Sequence, residues 1–230
     1  MVAFAGGYFV GGLATFGSQT PDTHFYRSFS EAVDALKRAL AIREKALGET
    51  DPQVTRILSK LVRVYFEEKK FKEAIPLLER VAAIKEKTRG AGHPEHAASL
   101  TDLGYAHFLA GDYPAAEAPL KRALAMYDAA PQADPISVAT CVLNLAELYR
   151  AQRKYAEAEP FYQRALALLE KARGHEHPDL LGTLAGYAQL LRKTGRKTEA
   201  KELEDRAEAI IAAIKKEREE AFRRRKQNQK

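Results

Sequence analysis

The 230-residue chain has no tryptophan, two methionines and a single cysteine, Cys141. One cysteine excludes an intramolecular disulfide framework and any multi-cysteine zinc site within one chain. Its place in the apolar run from Val138 to Leu145 marks it as a buried core thiol. Charge is absent from the first 21 residues, MVAFAGGYFVGGLATFGSQTP. That stretch is too short and glycine-rich for a spanning helix, which needs ~20 mostly apolar residues, and it lacks the positive start of a secretory signal. Gly7 and Gly11 nevertheless form a G-x-x-x-G that could pack helices in lipid. Residues 1–27 are therefore read as an apolar N-terminal extension, with export or membrane anchoring through residues 1–20 as the alternative to a cytoplasmic location. Catalytic signatures are missing too: there is no G-x-S-x-G, P-loop, H-E-x-x-H or G-x-G-x-x-G. Glutamate pairs such as Glu157 and Glu159 fall on solvated helix faces. The expectation is no enzyme, no cofactor and no metal.

Charge is present, but unevenly. The net charge is +6, and residues 215–230 alone hold eight Lys/Arg against three Glu. The basic character belongs to a tail at 215–230, so a nucleic-acid-binding body is not expected. Clustered Lys/Arg do attract anionic lipid. A membrane-associated assembly factor, tethered by the apolar N-terminus or the polybasic C-terminus, is the alternative functional reading.

The chain also repeats. RSFSEAVDALKRALAIREK from Arg27, KKFKEAIPLLERVAAIKEK from Lys69, GDYPAAEAPLKRALAMYDA from Gly111, RKYAEAEPFYQRALALLEK from Arg153 and GRKTEAKELEDRAEAIIAA from Gly195 start 42 residues apart. Each copy holds an alanine at one register: Ala32, Ala74, Ala116, Ala158 and Ala200. A period of this length signals a solenoid, and the apolar spacing within a unit predicts two helices. The alanine lets those helices approach closely. Gly111 and Gly195 fall at the turn between helices, where a positive φ is often needed.

The pattern L-A-x-L-Y, K-Y-x-E-A-E, Y-x-R-A-L, best seen from Leu145 to Leu166, resembles the tetratricopeptide repeat (TPR). The 42-residue spacing is similar to the kinesin-light-chain variant; the proline expected late in the second helix is replaced by Glu170. The resemblance implies an all-α, right-handed superhelical solenoid of antiparallel helix pairs that binds proteins or peptides. About four and a half repeats are expected: a half repeat 28–50, then 51–92, 93–133, 134–176 and 177–214. The first copy lacks a recognisable first helix, because GGLATFGSQTPDTHF contains Pro21 and little periodicity. That leaves an apolar edge through which a homodimer could form. In the last copy Glu204 replaces Leu36, Leu78, Leu120 and Tyr162, a polar choice suited to a terminal repeat.

The stretch Gly174 to Asp179, GHEHPD, looks at first like a metal or catalytic cluster. Beside its siblings it reads as a helix start. Pro52, Pro94, Pro135 and Pro178 suit a first helical position, and the preceding Asp51, His93, Asp134 and His177 suit an N-cap. His96 and His175 are not repeated. The two histidine pairs lie two repeats apart, too far to share an ion.

The first helices are expected to line the concave side. Their groove residues are then Arg56, Ser59, Lys60, Arg63 and Phe66; Thr101, Asp102, Tyr105 and Phe108; Thr140, Asn144, Glu147 and Arg150; and Gln189, Arg192 and Lys193. Arginines beside aromatics suit an extended acidic or aromatic-bearing peptide. The resemblance implies a peptide-backbone contact for Asn144. The family's Lys/Asn carboxylate clamp is not recognisable, since Ser59/Arg63 and Thr101/Tyr105 stand in its place.

Overall fold

The computed structural model describes residues 23–227, with side chains from residue 29 to residue 226. The expectations for residues 1–20, and for a first helix in the first copy, fall outside the described residues. Within them lie nine α-helices and no strand: α1 (Thr23–Leu47), α2 (Pro52–Glu67), α3 (Phe71–Arg89), α4 (Pro94–Leu109), α5 (Tyr113–Asp128), α6 (Pro135–Ala151), α7 (Tyr155–Arg173), α8 (Leu180–Lys193) and α9 (Lys197–Gln227). They form two compact units, one ending at Ala133 and the other starting at Asp134. In the first unit α2 pairs with α3 and α4 with α5, and α1 packs on α2. In the second α6 pairs with α7 and α8 with α9. The fold is the all-α helix-pair solenoid class expected from the repeat.

Four helix starts are capped by a side chain of the residue before them. Asp51 accepts from the Gln53 amide at 2.7 Å, Asp112 from Ala115 at 3.2 Å and Asp134 from Ser137 at 2.9 Å. Free amide donors in the first turn are thereby satisfied. His93 does the same with a ring nitrogen, Nδ1 accepting from Glu95 N at 3.1 Å. Pro52, Pro94 and Pro135 each open a helix as read from sequence. The fourth start differs. His177 Nδ1 accepts from Asp179 N at 3.2 Å, but α8 begins only at Leu180, with Asp179 as the N-cap residue. Leu180 N donates to His177 O and Leu181 N to Pro178 O, so the first turn is the tight i to i+3 kind and Pro178 lies before the helix.

Small residues set the packing. Ala74, Ala116, Ala158 and Ala200 are fully buried, whereas Ala32 is half-buried. Gly104 and Gly186 on the first helices are more constrained still. A Cβ on Gly104 would lie 2.5 Å from Leu120 Cγ and 3.1 Å from the Ala116 carbonyl; one on Gly186 would lie 2.4 Å from Glu147 Oε1 and 2.9 Å from the Tyr162 ring. Around these approaches the apolar core fills in. In the first unit Val54, Leu58, Val81 and Ile84 cluster with Leu40 and Leu77. In the second Leu169, Leu180, Leu184 and Ile210 cluster with Ile136, Leu203 and Ile214. Cys141 is fully buried. His96 is also a core residue, 1% exposed, rather than a ligand. Its burial holds the imidazole below the ordinary histidine range.

The second helices are linked by a repeated ion pair. Arg80 meets Glu44 at 2.6 Å and Arg122 meets Glu86 at 2.5 Å in the first unit; Arg206 meets Glu170 at 2.5 Å in the second. These arginines hold one register of the 42-residue period. Half-exposed pairs contribute only about 0–1 kcal/mol each, so their effect is to fix the register of neighbouring helices. Arg206 also donates to the His175 carbonyl at 2.8 Å, which fastens the GHEHPD turn to α9. The His175 ring itself is exposed, 3.6 Å from Glu170. Glu204 is engaged rather than merely solvated: both its oxygens receive the Arg192 guanidinium. Among the described residues no helix is long and apolar enough to cross a membrane.

The turn inside each pair uses a left-handed residue. Gly111 and Gly195 take φ of +81° and +84°, and the same register holds Lys69 at +56° and Arg153 at +61°. Lys69→Gly and Arg153→Gly should each raise stability by roughly 0.5–1 kcal/mol, the left-handed strain relieved less glycine's greater unfolded freedom. Gly104→Ala should lower stability by about 1–3 kcal/mol through overpacking, although alanine is the better helix former. Urea denaturation followed by circular dichroism checks all three; a Gly104→Ala protein as stable as its parent contradicts the close approach. His96 binds a proton more readily when unfolded, so stability should fall as pH drops below about 6.5. The fall in melting temperature from pH 7 to pH 5 should be smaller in His96→Gln than in the parent.

Candidate functional site

In the first unit the face of α2 is cationic. Arg56, Lys60 and Arg63 are exposed at i, i+4 and i+7, with Ser59 exposed beside them, and none of the three cations is in an ion pair among the described residues. Near the end of α2 this face runs into aromatic rings. Phe66 lies 6.2 Å from Tyr105 on α4, Tyr105 stacks on Phe108 at 6.4 Å, and Phe108 on Tyr113 at 5.7 Å. Phe71, at the start of α3, meets Phe66 edge to face at 5.4 Å. All five rings are half-buried, one part held in the fold and one part open. Thr101 is not on this open surface: it is buried and donates to the Ala97 carbonyl at 3.0 Å. Asp102 is exposed on α4, beside the packed helices. Desolvation by the neighbouring protein raises its carboxyl above the ordinary range.

The second unit has a polar centre. Glu147 is buried and accepts from the Tyr162 hydroxyl and from Arg150, whose Nε also donates to Tyr162 Oη at 3.0 Å. Burial works against the Arg150 charge, but the hydrogen bond and charge of Glu147 outweigh it and hold the guanidinium firmly protonated. Burial, with the Glu147 charge beside it, pushes the Tyr162 hydroxyl far above the ordinary tyrosine range. Tyr162 stacks flat on Tyr187, with ring centroids 5.7 Å apart. Tyr187 in turn donates to Glu159 at 2.9 Å and receives from Gln163 at 3.0 Å. Gly186 is glycine because this network occupies the space of a side chain.

Arg150 reaches outward as well, Nη1 donating to Gln189 on α8 at 3.3 Å. Arg150, Tyr155, Gln189, Arg192 and Lys193 line an open cavity of about 300 Å³. The fold thus brings together four of the residues expected from sequence, from two helices. Their charges differ from that expectation. Arg150 is neutralised by Glu147 and Arg192 by Glu204, while Lys193 is in no ion pair among the described residues. Thr140 is half-buried and donates to the Ile136 carbonyl at 2.9 Å, and Asn144 is half-buried.

Phe71, Tyr113 and Tyr155 complete these faces and were absent from the sequence-derived set. They share one register, 42 residues apart, at the first position of α3, α5 and α7. An aromatic recurring where a helix begins, rather than on its apolar stripe, was the available signal. Among the described residues no group of three or more His, Cys, Asp or Glu is placed to hold a metal ion.

The tetratricopeptide repeat profile matches residues 27–87, 53–129 and 138–213. Among solved structures, the kinesin light chain nearly identical TPR-like repeats of Podosopora anserina are 28% identical, with a TM-score of 0.69, covering 84% of this chain and 91% of that one. BtubC (BKLC) from P. vanneervenii is 22% identical with a TM-score of 0.71, covering 84% of this chain and 76% of that one, a likeness of fold. Comparison with the curated proteins finds no match. With helix pairs, turn residues and small-residue contacts all recurring on one period, the chain belongs to the tetratricopeptide repeat family, in its kinesin-light-chain-like form.

Proposed function

We propose that this chain is a non-enzymatic scaffold that holds an extended acidic or aromatic-bearing peptide against its first helices. The observation that carries this reading is in the first unit. Among the described residues Arg56, Lys60 and Arg63 stand unpaired in one line on α2, and the line leads to the Phe66, Tyr105 and Phe108 rings. Free guanidinium and ammonium groups offer donors to carboxylates. Half-open aromatic rings offer rigid contact area at little entropic cost. Asp102 on α4 adds an acceptor for peptide amides.

In the second unit the same role falls to α6 and α8. Asn144 and Gln189 are the neutral groups able to meet a peptide backbone, Lys193 is the free charge, and Tyr155 is the ring beside it. Arg150, Glu147 and Arg192 act as positioning residues in this reading, because their charges are already satisfied within the fold. Ser59, Thr101 and Thr140 contribute small surface or packing rather than charge.

The test is affinity capture from a native cell extract followed by mass spectrometry. Reversing charge at Arg56, Lys60 and Arg63 together should lower capture of the dominant partner about tenfold or more, with helix content and melting temperature unchanged. Undiminished capture by a well-folded triple variant would falsify the cationic-face reading. Within the same experiment Lys193→Glu should weaken capture more than Arg192→Glu.

A further inference from the structure

The C-terminal part of α9 has no role in the helix pairs. The helix is 31 residues long while its partner α8 has 14. Ile214 is the last α9 side chain packed against the core, and every described residue from Lys215 to Lys226 is exposed. At ~1.5 Å per residue, the part beyond Ile214 projects about 20 Å.

This projection is two-faced. Ile211, Ile214, Lys215, Arg218, Phe222 and Arg225 stand at i, i+3, i+4, i+7, i+11 and i+14, which places them on one side of the helix. Ile211 is 54% exposed and Phe222 60%, two of the four exposed large hydrophobic side chains in the described chain. With Ile214, Lys215, Arg218 and Glu219 they line a shallow open cavity of about 370 Å³. Lys226 Nζ lies over the Phe222 ring, 4.8 Å from its centroid, a cation–π contact. Counting Lys226, the apolar side carries four cations and one anion. The opposite side carries Lys216, Arg223 and Arg224 against Glu217 and Glu220, and Arg224 pairs with Glu220 at 3.9 Å. Positive charge in excess is therefore concentrated on the side that is also apolar, and none of its four cations is in an ion pair among the described residues.

We propose that this face of α9 docks on an anionic lipid bilayer, with Phe222 and Ile211 in the headgroup–acyl boundary, the half-buried Ile214 at its edge, and Lys215, Arg218, Arg225 and Lys226 on lipid phosphates. Three apolar residues within a cationic frame match the shallow depth of an interfacial helix. The long cationic side chains can keep their stems in the apolar layer and their heads in water. Nucleic acid would use the charge but leave the isoleucines and Phe222 without a purpose. An acidic protein helix would use both, but a seam of three apolar residues over twelve positions is sparse for helix-on-helix packing. The proposal is independent of the first-helix faces and adds a second surface to the protein.

The experiment is vesicle flotation of the full chain, comparing pure phosphatidylcholine with mixtures containing about 30% phosphatidylserine, at ~50 mM and ~500 mM salt. The chain should float with the anionic vesicles at low salt, not with the neutral ones, and be released at high salt. Reversing the four face cations to glutamate should lower binding about tenfold or more. Ile211→Ser with Phe222→Ser, which leaves the charge intact, should lower it by a similar factor. Both changes fall on exposed positions, and circular dichroism verifies that the repeats remain folded. Because the chain has no tryptophan, Phe222→Trp gives a clean probe whose emission should shift to the blue on anionic vesicles. The proposal is overturned if the folded chain ignores anionic vesicles at low salt, or if the Ser variant binds as well as its parent. Capture of a poly-glutamate peptide in place of vesicles would also overturn it and assign the face to an acidic protein.

Discussion

The close approach of paired helices at small residues is the constraint on which the rest of this structure depends. Where Gly104 passes Leu120 and Ala116, and where Gly186 passes Glu147 and Tyr162, one added methyl has no place to go. The buried alanines of the second helices serve the same end from the other side. Once the backbones are this near, the leucine and valine layers can interlock at the density typical of protein interiors. Left-handed turns, proline-led helix starts and Arg–Glu pairs then keep each copy in register. Each of these contributes little alone. Repetition makes them add, because every pair presents the same face to its neighbour.

That arrangement determines which side chains remain available. A first helix has one side committed to the core and another left open, and the open side differs in character between the two units. In the first unit it holds cations without an ion pair among the described residues, and half-open rings. In the second unit the equivalent helices carry a buried glutamate whose partners, Arg150 and Tyr162, are held by it. A buried carboxylate is tolerable only when paired and hydrogen-bonded, and here it also fixes the geometry of Arg150 and, through it, Gln189. Rigid polar groups of this kind position a surface without supplying net charge.

Much of this was legible in the sequence, for definable reasons. The 42-residue period, the alanine register, the prolines and the glycine turns are local or periodic signals, and each has a structural counterpart. His177 reads as helix-start punctuation by comparing copies alone, whereas His175 has no counterpart in them. The exposed line Arg56, Lys60, Arg63 follows from helical spacing. Less legible was anything set by pairing between helices. Nothing in the order of residues says that Arg192 meets Glu204, that Arg150 meets Glu147, or that Thr101 lies inside. Charge counted along a chain overstates free charge on a surface, because salt bridges form across elements. The start of α8 is a similar case: a proline in register predicts an opening, but the tight turn at His177 delays it by two residues.

The central claim is that the open sides of the first helices hold the ligand, while the second helices serve as structure. Hydrogen-exchange mass spectrometry on the chain alone and with its captured partner tests this most directly. The account predicts added protection concentrated in α2, α4, α6 and α8 and at the aromatic first residues of α3, α5 and α7. Protection confined to the bodies of α3, α5 and α7, with the first helices unchanged, would contradict it.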